Sequence, residues 1–109
     1  MLKSSTVTEL KEKLDNKQEL LIVDCREQFE WDLEHIEGAK LIPLSVFQDE
    51  YIQLKDWKDK EVFVQCRSGA RSEKMGEFLI SKGFSNVANL EGGIMDWKKN
   101  NFPIIKKDS

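Results

Sequence analysis

Histidine and cysteine are scarce in this sequence of 109 residues, and each shortage excludes a class of site. His35 is the single histidine, so Ser-His-Asp or Cys-His catalysis would have to use it. Two cysteines cannot build a disulfide framework, and Cys25 and Cys66 do not form the CxxC spacing of zinc or redox motifs. A zinc site would need ligands scattered along the chain, so we predict no metal and no other cofactor.

The charge balance is slightly acidic, which excludes two classes of partner. The chain has 17 Lys and Arg against 20 Asp and Glu, a formal net charge of −3, and no basic run. We therefore expect neither nucleic acid nor a membrane surface as a partner. Residues 1–9 show no apolar signal region, and nothing after them approaches the roughly 18 apolar residues that a membrane helix needs. We expect a cytoplasmic protein with reduced thiols.

The rest of the chain alternates apolar runs with amphipathic segments. Residues 20–23, 62–65 and 86–90 are predicted strands, because runs that are apolar on both faces are typical of parallel sheets. Thr6 begins a predicted helix through a capping box with Glu9. Further helices are predicted over residues 27–33, 94–99 and a segment that stops at Gly83. This pattern predicts one α/β domain over residues 1–109 with a mainly parallel sheet.

Several local features accompany these elements. On the helix over 27–33 we expect Phe29, Trp31 and Leu33 to be partly buried. Residues 35–40 are predicted as a turn, residues 40–43 as a brief strand, and residues 44–57 as short helical fragments. Within the turn, His35 is expected to make structural hydrogen bonds rather than to transfer protons.

Two polar segments directly follow predicted strands, and the carboxyl ends of parallel strands form the functional edge of an open α/β sheet. Asp24, Cys25 and Arg26 follow the first strand, and the segment 66–71, with sequence CRSGAR, follows the second. A cysteine between a strand and a helix start faces backbone N–H groups and the positive end of the helix dipole. Such a setting lowers a thiol pKa, so Cys66 is predicted to be a reactive thiolate.

Four segments in order resemble the rhodanese family of sulfurtransferases, and together they extend over nearly the whole chain. They are Asp24-Cys25-Arg26-Glu27 with Glu30, His35-Ile36-Glu37-Gly38-Ala39 with Ile42-Pro43, Cys66-Arg67-Ser68-Gly69-Ala70-Arg71, and Leu90-Glu91-Gly92-Gly93-Ile94 with Trp97 and Pro103. The resemblance implies a three-layer α/β/α domain with a small, mainly parallel central sheet. It also implies that Cys66 accepts a sulfane sulfur and carries it as a persulfide.

The sequence departs from the family pattern at three places. Glu37 stands where proline is usual, which loosens one turn. Cys25 stands at a position that is usually apolar in the family, and two interpretations are open: a small core residue, or a second thiol that resolves the persulfide. Only residues 1–5 are available for the family's first strand, which leaves that strand very short or missing.

The chemistry predicted for Cys66 is covalent catalysis in two half-reactions. Its thiolate attacks the outer sulfur of thiosulfate and sulfite leaves; cyanide or a thiol, including a protein thiol, then removes the sulfur. Arg67 and Arg71 are the candidate cations for this small anionic donor. The amides of residues 67–71 are expected to hold the terminal sulfur as an oxyanion hole holds its anion.

The remaining predicted site residues support this loop. Ser68, Gly69 and Ala70 complete the substrate-binding segment, and the Ser68 hydroxyl either contacts the bound sulfur or caps the following helix. Asp24 and Arg26 are expected to anchor the loops around the crevice by an ion pair or backbone contacts. In so short a chain we expect a shallow loop that admits bulky acceptors.

Three functions are alternatives to thiosulfate turnover. Cysteine phosphatases and arsenate reductases of the related cell-cycle-phosphatase type carry Arg six positions after the nucleophile, whereas Arg71 follows Cys66 by five, which makes a tighter ring. A binding or regulatory module with the same fold is a second alternative, and the intact cysteine loop argues against it. A relay that takes sulfur from a protein donor without thiosulfate turnover is the third, and the sequence leaves it open.

Overall fold

The computed structural model describes residues 1–107, and the strands within this range form two sheets. Residues 108 and 109, the last two of the predicted domain, lie outside the described residues. The larger sheet has five strands in the order β1-β6-β5-β2-β4, and every neighbouring pair is parallel. The smaller sheet pairs β3 with β7 antiparallel. The strands are β1 Lys3–Ser5, β2 Leu20–Asp24, β3 Glu34–Ile36, β4 Lys40–Leu41, β5 Glu61–Gln65, β6 Val87–Leu90 and β7 Ile104–Lys106.

Helices cover both faces of the larger sheet. They are α1 Val7–Asp15, α2 Gln28–Leu33, α3 Phe47–Glu50, α4 Ala70–Ser81 and α5 Gly93–Lys99, with 3₁₀ segments at Leu44–Val46 and Tyr51–Trp57. Apolar residues of α1 and α5 pack in one buried cluster, and those of α3, α4 and the second 3₁₀ segment pack in the other. The predicted three-layer α/β/α architecture is therefore confirmed.

The central strands contribute side chains to both layers, as the apolar runs predict. On β5, Val62 and Val64 join the cluster beneath α4, while Phe63 between them joins the cluster beneath α1 and α5. All three are at most 1% exposed. Alternation along a strand continues past its end, so Cys66 points to the same face as Val64.

The structure contains both the predicted capping box of the first helix and the first strand. Thr6 Oγ1 accepts the Glu9 N–H at 3.1 Å and the Glu9 carboxylate accepts the Thr6 N–H at 2.8 Å, which confirms the capping box. The first strand, left open by the sequence, forms as the three residues of β1, and Lys3 to Ser5 pair in parallel with residues 88–90 of β6.

Two local predictions are wrong. His35 lies in β3 rather than in a turn, because residues 104–106 return from the end of the chain and pair with residues 34–36. On α2, Phe29 is 69% and Leu33 is 61% exposed, although both were expected to be partly buried. The spacing of apolar residues identifies a helix face, but it does not show that another element covers that face.

None of the helices within residues 1–107 is long and apolar enough to cross a membrane.

Candidate active site

Cys66 lies where β5 ends, and the loop that follows turns back over it before α4 begins. Gly69 is the N-cap of α4 and has φ +112, a backbone conformation that residues other than glycine rarely adopt. A Cβ at this position would meet its neighbours only at ordinary contact distances of 3.5 Å or more. The backbone conformation, rather than the lack of space, therefore requires glycine here.

Several hydrogen-bond donors converge on the Cys66 sulfur. The Gly69 N–H donates to Sγ at 3.1 Å and the Ser72 hydroxyl lies 3.3 Å from Sγ. Burial opposes ionisation of this thiol, but the Ser72 hydroxyl and the backbone N–H groups of Ser72, Gly69 and Ser68 outweigh it, so the pKa of Cys66 is lowered. The site therefore favours a thiolate, which is the nucleophilic form of cysteine.

The donors to Sγ come partly from outside the predicted segment. Ser68 and Gly69 lie within residues 67–71, whereas Ser72 follows them, and the cradle expected for the terminal sulfur of a persulfide stays a prediction. Ser72 is fully buried in the first turn of α4, and its hydroxyl also lies 2.5 Å from Asn89 Oδ1. Sequence reasoning missed both residues, because a serine inside a helix and an asparagine in a strand carry no motif of their own.

Helix α5 orients the peptide groups of the loop. Its Ile94 N–H donates to the Cys66 carbonyl at 3.0 Å, and its Met95 N–H donates to the Arg67 carbonyl at 3.1 Å. The N–H and C=O of one planar peptide point in opposite directions, so binding the Arg67 carbonyl to α5 turns the Ser68 N–H the other way. A Cβ at Gly93 would lie 2.3 Å from the Cys66 carbonyl oxygen, which shows how closely the two segments approach.

Arg71 is held by Glu30 of α2. Two parallel hydrogen bonds of 2.8 and 2.9 Å join the guanidinium to the carboxylate. These bonds lower the pKa of Glu30 to about 2, despite its partial burial, and they raise the pKa of Arg71. The charge of Arg71 also interacts with the Cys66 thiol, so the pair fixes a positive charge beside the nucleophile. The sequence indicated Arg71 but not its partner, which lies 41 positions earlier.

Asp24 and Arg26 form a buried ion pair at the end of β2. The Arg26 Nη2 lies 2.8 Å from an Asp24 carboxylate oxygen, and the Arg26 N–H donates to the same carboxylate at 2.9 Å. Arg26 also donates to the Glu34 carbonyl at 2.8 Å, which ties the end of β2 to β3. Both side chains are nearly inaccessible, at 0% and 4% exposed, so they anchor loops as expected.

The other loop residues face outward. Arg67, Ser68 and Ala70 are exposed. Within residues 1–107, Arg67 makes no ion pair and the Ser68 side chain caps no helix, because Gly69 occupies the N-cap position. The capping role considered for Ser68 is therefore wrong.

The loop covers the thiol more completely than the sequence suggested. Cys66 is 1% exposed, so its sulfur lies on the floor of the loop and not at the surface. Residues 67, 68 and 70 of the same loop are exposed, so the thiol itself is less accessible than the expected shallow loop implies.

Cys25 occupies the equivalent place at the end of β2. Asp24 and Gln65 are register partners on the neighbouring strands, and the next residues in the chain are the two cysteines. Cys25 is fully buried in the same apolar cluster as Cys66. Burial, followed by the nearby Cys66 and Asp24, raises the pKa of Cys25, so this thiol is held in its neutral form.

His35 has a structural role, and within residues 1–107 it builds no metal centre with the acidic residues. The His35 ring stacks on Trp31 with centroids 3.6 Å apart, and its Nδ1 lies 3.0 Å from the Trp31 carbonyl oxygen. In the part of the chain that the structure describes, no three His, Cys, Asp or Glu side chains are grouped so that they could hold a metal ion.

Comparison with known proteins agrees with this geometry. The family model of the Rhodanese-like domain matches residues 6–100. A protein of Allochromatium vinosum named a sulfurtransferase is 32% identical over 96 residues, and the match covers 88% of each chain. The crystal structure of a rhodanese-related protein from Thermoplasma volcanium superposes with a TM-score of 0.84 at 30% identity, covering 94% of this chain and 97% of that one.

The chain belongs to the rhodanese-like family, and its homologues include sulfurtransferases. Some relatives are much longer. The Mycobacterium tuberculosis protein MoeZ, named an adenylyltransferase/sulfurtransferase, is 37% identical over 99 residues, which are 89% of this chain and 25% of that protein. This chain therefore spans about a quarter of the length of that relative.

Proposed function

We propose that this protein moves a sulfane sulfur from thiosulfate, or from another persulfide donor, to cyanide or a thiol through a persulfide on Cys66. The observation that carries the proposal is the convergence of the Gly69 N–H and the Ser72 hydroxyl on the Cys66 sulfur. These donors stabilise negative charge on the Cys66 sulfur. No histidine is among the contacts to the sulfur described above.

In the first half-reaction the Cys66 thiolate attacks the outer sulfur of thiosulfate. A new S–S bond forms, the S–S bond of thiosulfate breaks, and sulfite leaves with the bonding pair. The attack brings a dianion toward a thiolate, so nearby cations lower its cost. Arg71, fixed by Glu30, and the exposed Arg67 supply this positive charge.

In the second half-reaction the acceptor attacks the outer sulfur of the persulfide. Cyanide becomes thiocyanate, a thiolate becomes a persulfide, and the Cys66 thiolate is regenerated in both cases. The transferred sulfur lies about 2 Å from Sγ, one S–S bond length. The acceptor can therefore reach it although Sγ itself lies on the loop floor. Two separate half-reactions predict ping-pong kinetics.

Sulfur relay from a protein donor, without thiosulfate turnover, is the second candidate. The length of MoeZ favours it, because there a domain like this one is part of a longer protein named a sulfurtransferase. Phosphatase or arsenate reductase chemistry is less well supported, because Arg71 follows Cys66 by five positions rather than six, which makes a tighter ring than those enzymes use for a tetrahedral oxyanion. Either sulfur-transfer reaction needs a reduced Cys66, so we also propose a reducing compartment such as the cytoplasm.

The decisive experiment is the intact mass of the protein after treatment with thiosulfate and removal of excess reagent. We expect the gain of one sulfur atom, its loss on addition of cyanide, and no gain in Cys66→Ser. Cys25→Ser is the matched control and should gain the sulfur as the wild type does. A sulfur that still adds to Cys66→Ser would place the persulfide elsewhere and contradict the proposal. A sulfur gained from glutathione persulfide but not from thiosulfate would favour the relay.

A further inference from the structure

A cleft of about 760 Å³ begins at the rim of the cysteine loop and runs between α2 and α5. Arg67, directly after Cys66, lies at its loop end, and Glu30, the partner of Arg71, is part of its wall. Thiosulfate has five non-hydrogen atoms and cyanide two, whereas clefts of this size hold much larger molecules. The donor and the small acceptor therefore leave most of the cleft unexplained.

Exposed apolar side chains are concentrated along the walls of the cleft. Among residues 1–107, six large hydrophobic side chains are exposed, and three of them line this cleft. They are Phe29 and Leu33 of α2, at 69% and 61% exposed, and Met95 of α5, at 46%. Small inorganic anions gain nothing from such side chains, whereas an apolar partner gains free energy in proportion to the area it buries.

The same cleft carries an excess of positive charge in a chain of net charge −3. Four of its charged groups are neutralised within the protein: Arg26 by Asp24, Glu30 by Arg71, and Glu34 and Lys98 by each other. Two further cations, Arg67 and Lys99, line the cleft and have no carboxylate partner within residues 1–107. The cleft therefore attracts acidic groups.

From these observations we propose that the cleft binds an acidic, partly apolar peptide segment of an acceptor protein and presents its cysteine to the Cys66 persulfide. This inference rests on the proposed function and names its acceptor. The apolar residues of the segment cover Phe29, Leu33 and Met95, and its carboxylates face Arg67 and Lys99. The acceptor thiolate attacks the outer sulfur, so the S–S bond to Cys66 breaks and the peptide leaves as a persulfide.

The test uses the full chain, first converted to the persulfide, and two blocked peptides of equal length. Each peptide has one central cysteine between leucine and phenylalanine; the outer positions are glutamate in one peptide and lysine in the other. The transfer rate is measured from the mass of the peptide that has gained one sulfur. Neighbouring lysines make a thiol more acidic, so the informative quantity is how each variant changes the rate with a given peptide relative to the wild type.

Two variants of the cleft have matched controls in the 3₁₀ segment Tyr51–Trp57, outside the cleft. Lys99→Glu should lower the rate with the acidic peptide about fivefold and raise the rate with the basic one. Phe29→Ala should lower the rate with both peptides about five- to tenfold. The controls Lys55→Glu and Ile52→Ala, at exposed positions, should leave both rates unchanged. Transfer to cyanide should stay within about twofold of the wild type in all four variants, because cyanide does not need the cleft.

The outcomes separate this inference from the proposed function. If the wild type takes no sulfur from thiosulfate or glutathione persulfide, both are wrong. If cyanide removes the sulfur but cleft variants and controls behave alike with the peptides, the docking cleft alone is wrong. If glutathione reacts as fast as the acidic peptide and with the same sensitivity to Phe29→Ala, the cleft serves a small thiol, and the proposed protein segment is wrong.

Discussion

The two cysteines of this protein have almost the same position in the sheet and opposite chemistry. Each is the first residue after a central parallel strand, Cys25 after β2 and Cys66 after β5, and each is at most 1% exposed. Their side chains belong to the same apolar cluster. Yet the pKa of Cys25 is raised and the pKa of Cys66 is lowered.

The difference arises from the chain that follows each thiol. After Cys66 the backbone turns through Gly69 at positive φ and directs N–H groups toward the sulfur. After Cys25 the chain continues to Arg26, whose N–H donates to the Asp24 carboxylate instead. Burial opposes ionisation at both sites, but at Cys66 the Ser72 hydroxyl and the N–H groups of Ser72, Gly69 and Ser68 outweigh it, and at Cys25 nothing does.

Replacing the nucleophile should have the largest effect. Cys66→Ser should lower thiosulfate:cyanide turnover by at least about 10³-fold, because a serine hydroxyl is not ionised at neutral pH and forms no persulfide. The variant should keep the far-UV and near-UV circular dichroism of the wild type. Turnover at a substantial fraction of the wild-type rate would remove Cys66 from the mechanism.

Changing the loop backbone while keeping the thiol should have the next largest effect. Gly69→Ala forces a side chain into φ +112, so the loop must move and the N–H bond to Sγ is lost. We expect turnover to fall about 10²-fold, as on removal of an oxyanion donor. Stopped-flow measurement of persulfide formation tests this. An unchanged rate would mean that the Gly69 amide is dispensable.

Removing a fixed charge should affect donors selectively. Arg71→Ala should raise the KM for thiosulfate about tenfold, and it should change the reaction with a neutral sulfur donor less, because the guanidinium attracts anions. Steady-state kinetics with both donors measures the two effects. Equal losses for the two would show that Arg71 and its bond to Glu30 shape the loop rather than recognise charge.

Removing one donor to the sulfur should shift its titration. The Ser72 hydroxyl and amide help to keep the pKa of Cys66 low, and Ser72→Ala removes only the hydroxyl. The thiolate therefore forms at higher pH in the variant, and the pH profile of iodoacetamide alkylation should move to higher pH. Ser81→Ala, at an exposed serine of the same helix whose hydroxyl donates to the Phe78 carbonyl, is the matched control. A profile that does not move would assign the low pKa to the backbone alone.

The second thiol should be the least sensitive position. Cys25→Ser retains a group of similar size in the apolar cluster, so turnover should stay within about twofold, with a stability loss of about 1–2 kcal/mol from the buried hydroxyl. Chemical denaturation and steady-state kinetics measure the two effects. Normal persulfide formation combined with a loss of transfer to acceptors would instead assign Cys25 the role of a resolving thiol.

The parts of the molecule that could be predicted are those that depend on local sequence. The apolar runs 20–23 and 62–65 identify the central strands, and Thr6 with Glu9 identifies the first helix boundary. The Cys66 loop can be recognised in the sequence, because a cysteine, a glycine and two arginines occur within six residues.

The rest depends on contacts between distant segments. The pairing of β3 with β7 joins residues about 70 positions apart, and neither strand has a strong apolar pattern. The Ile94 and Met95 contacts to the loop use only backbone groups, so no side chain in the sequence marks them. Phe29 and Leu33 were expected to be partly buried, and they instead are exposed and line the cleft.

The attachment of the loop to α5 limits how this chemistry could be transplanted. An engineer who copied residues 66–72 into another α/β scaffold would copy the nucleophile and its donors, but not the two backbone bonds from residues 94 and 95 that hold the peptide planes. Without these two hydrogen bonds, the same seven residues could change conformation, and their N–H groups could bind water instead of the sulfur. A working graft has to include the start of α5, with Gly93 close against the loop, as part of the same unit.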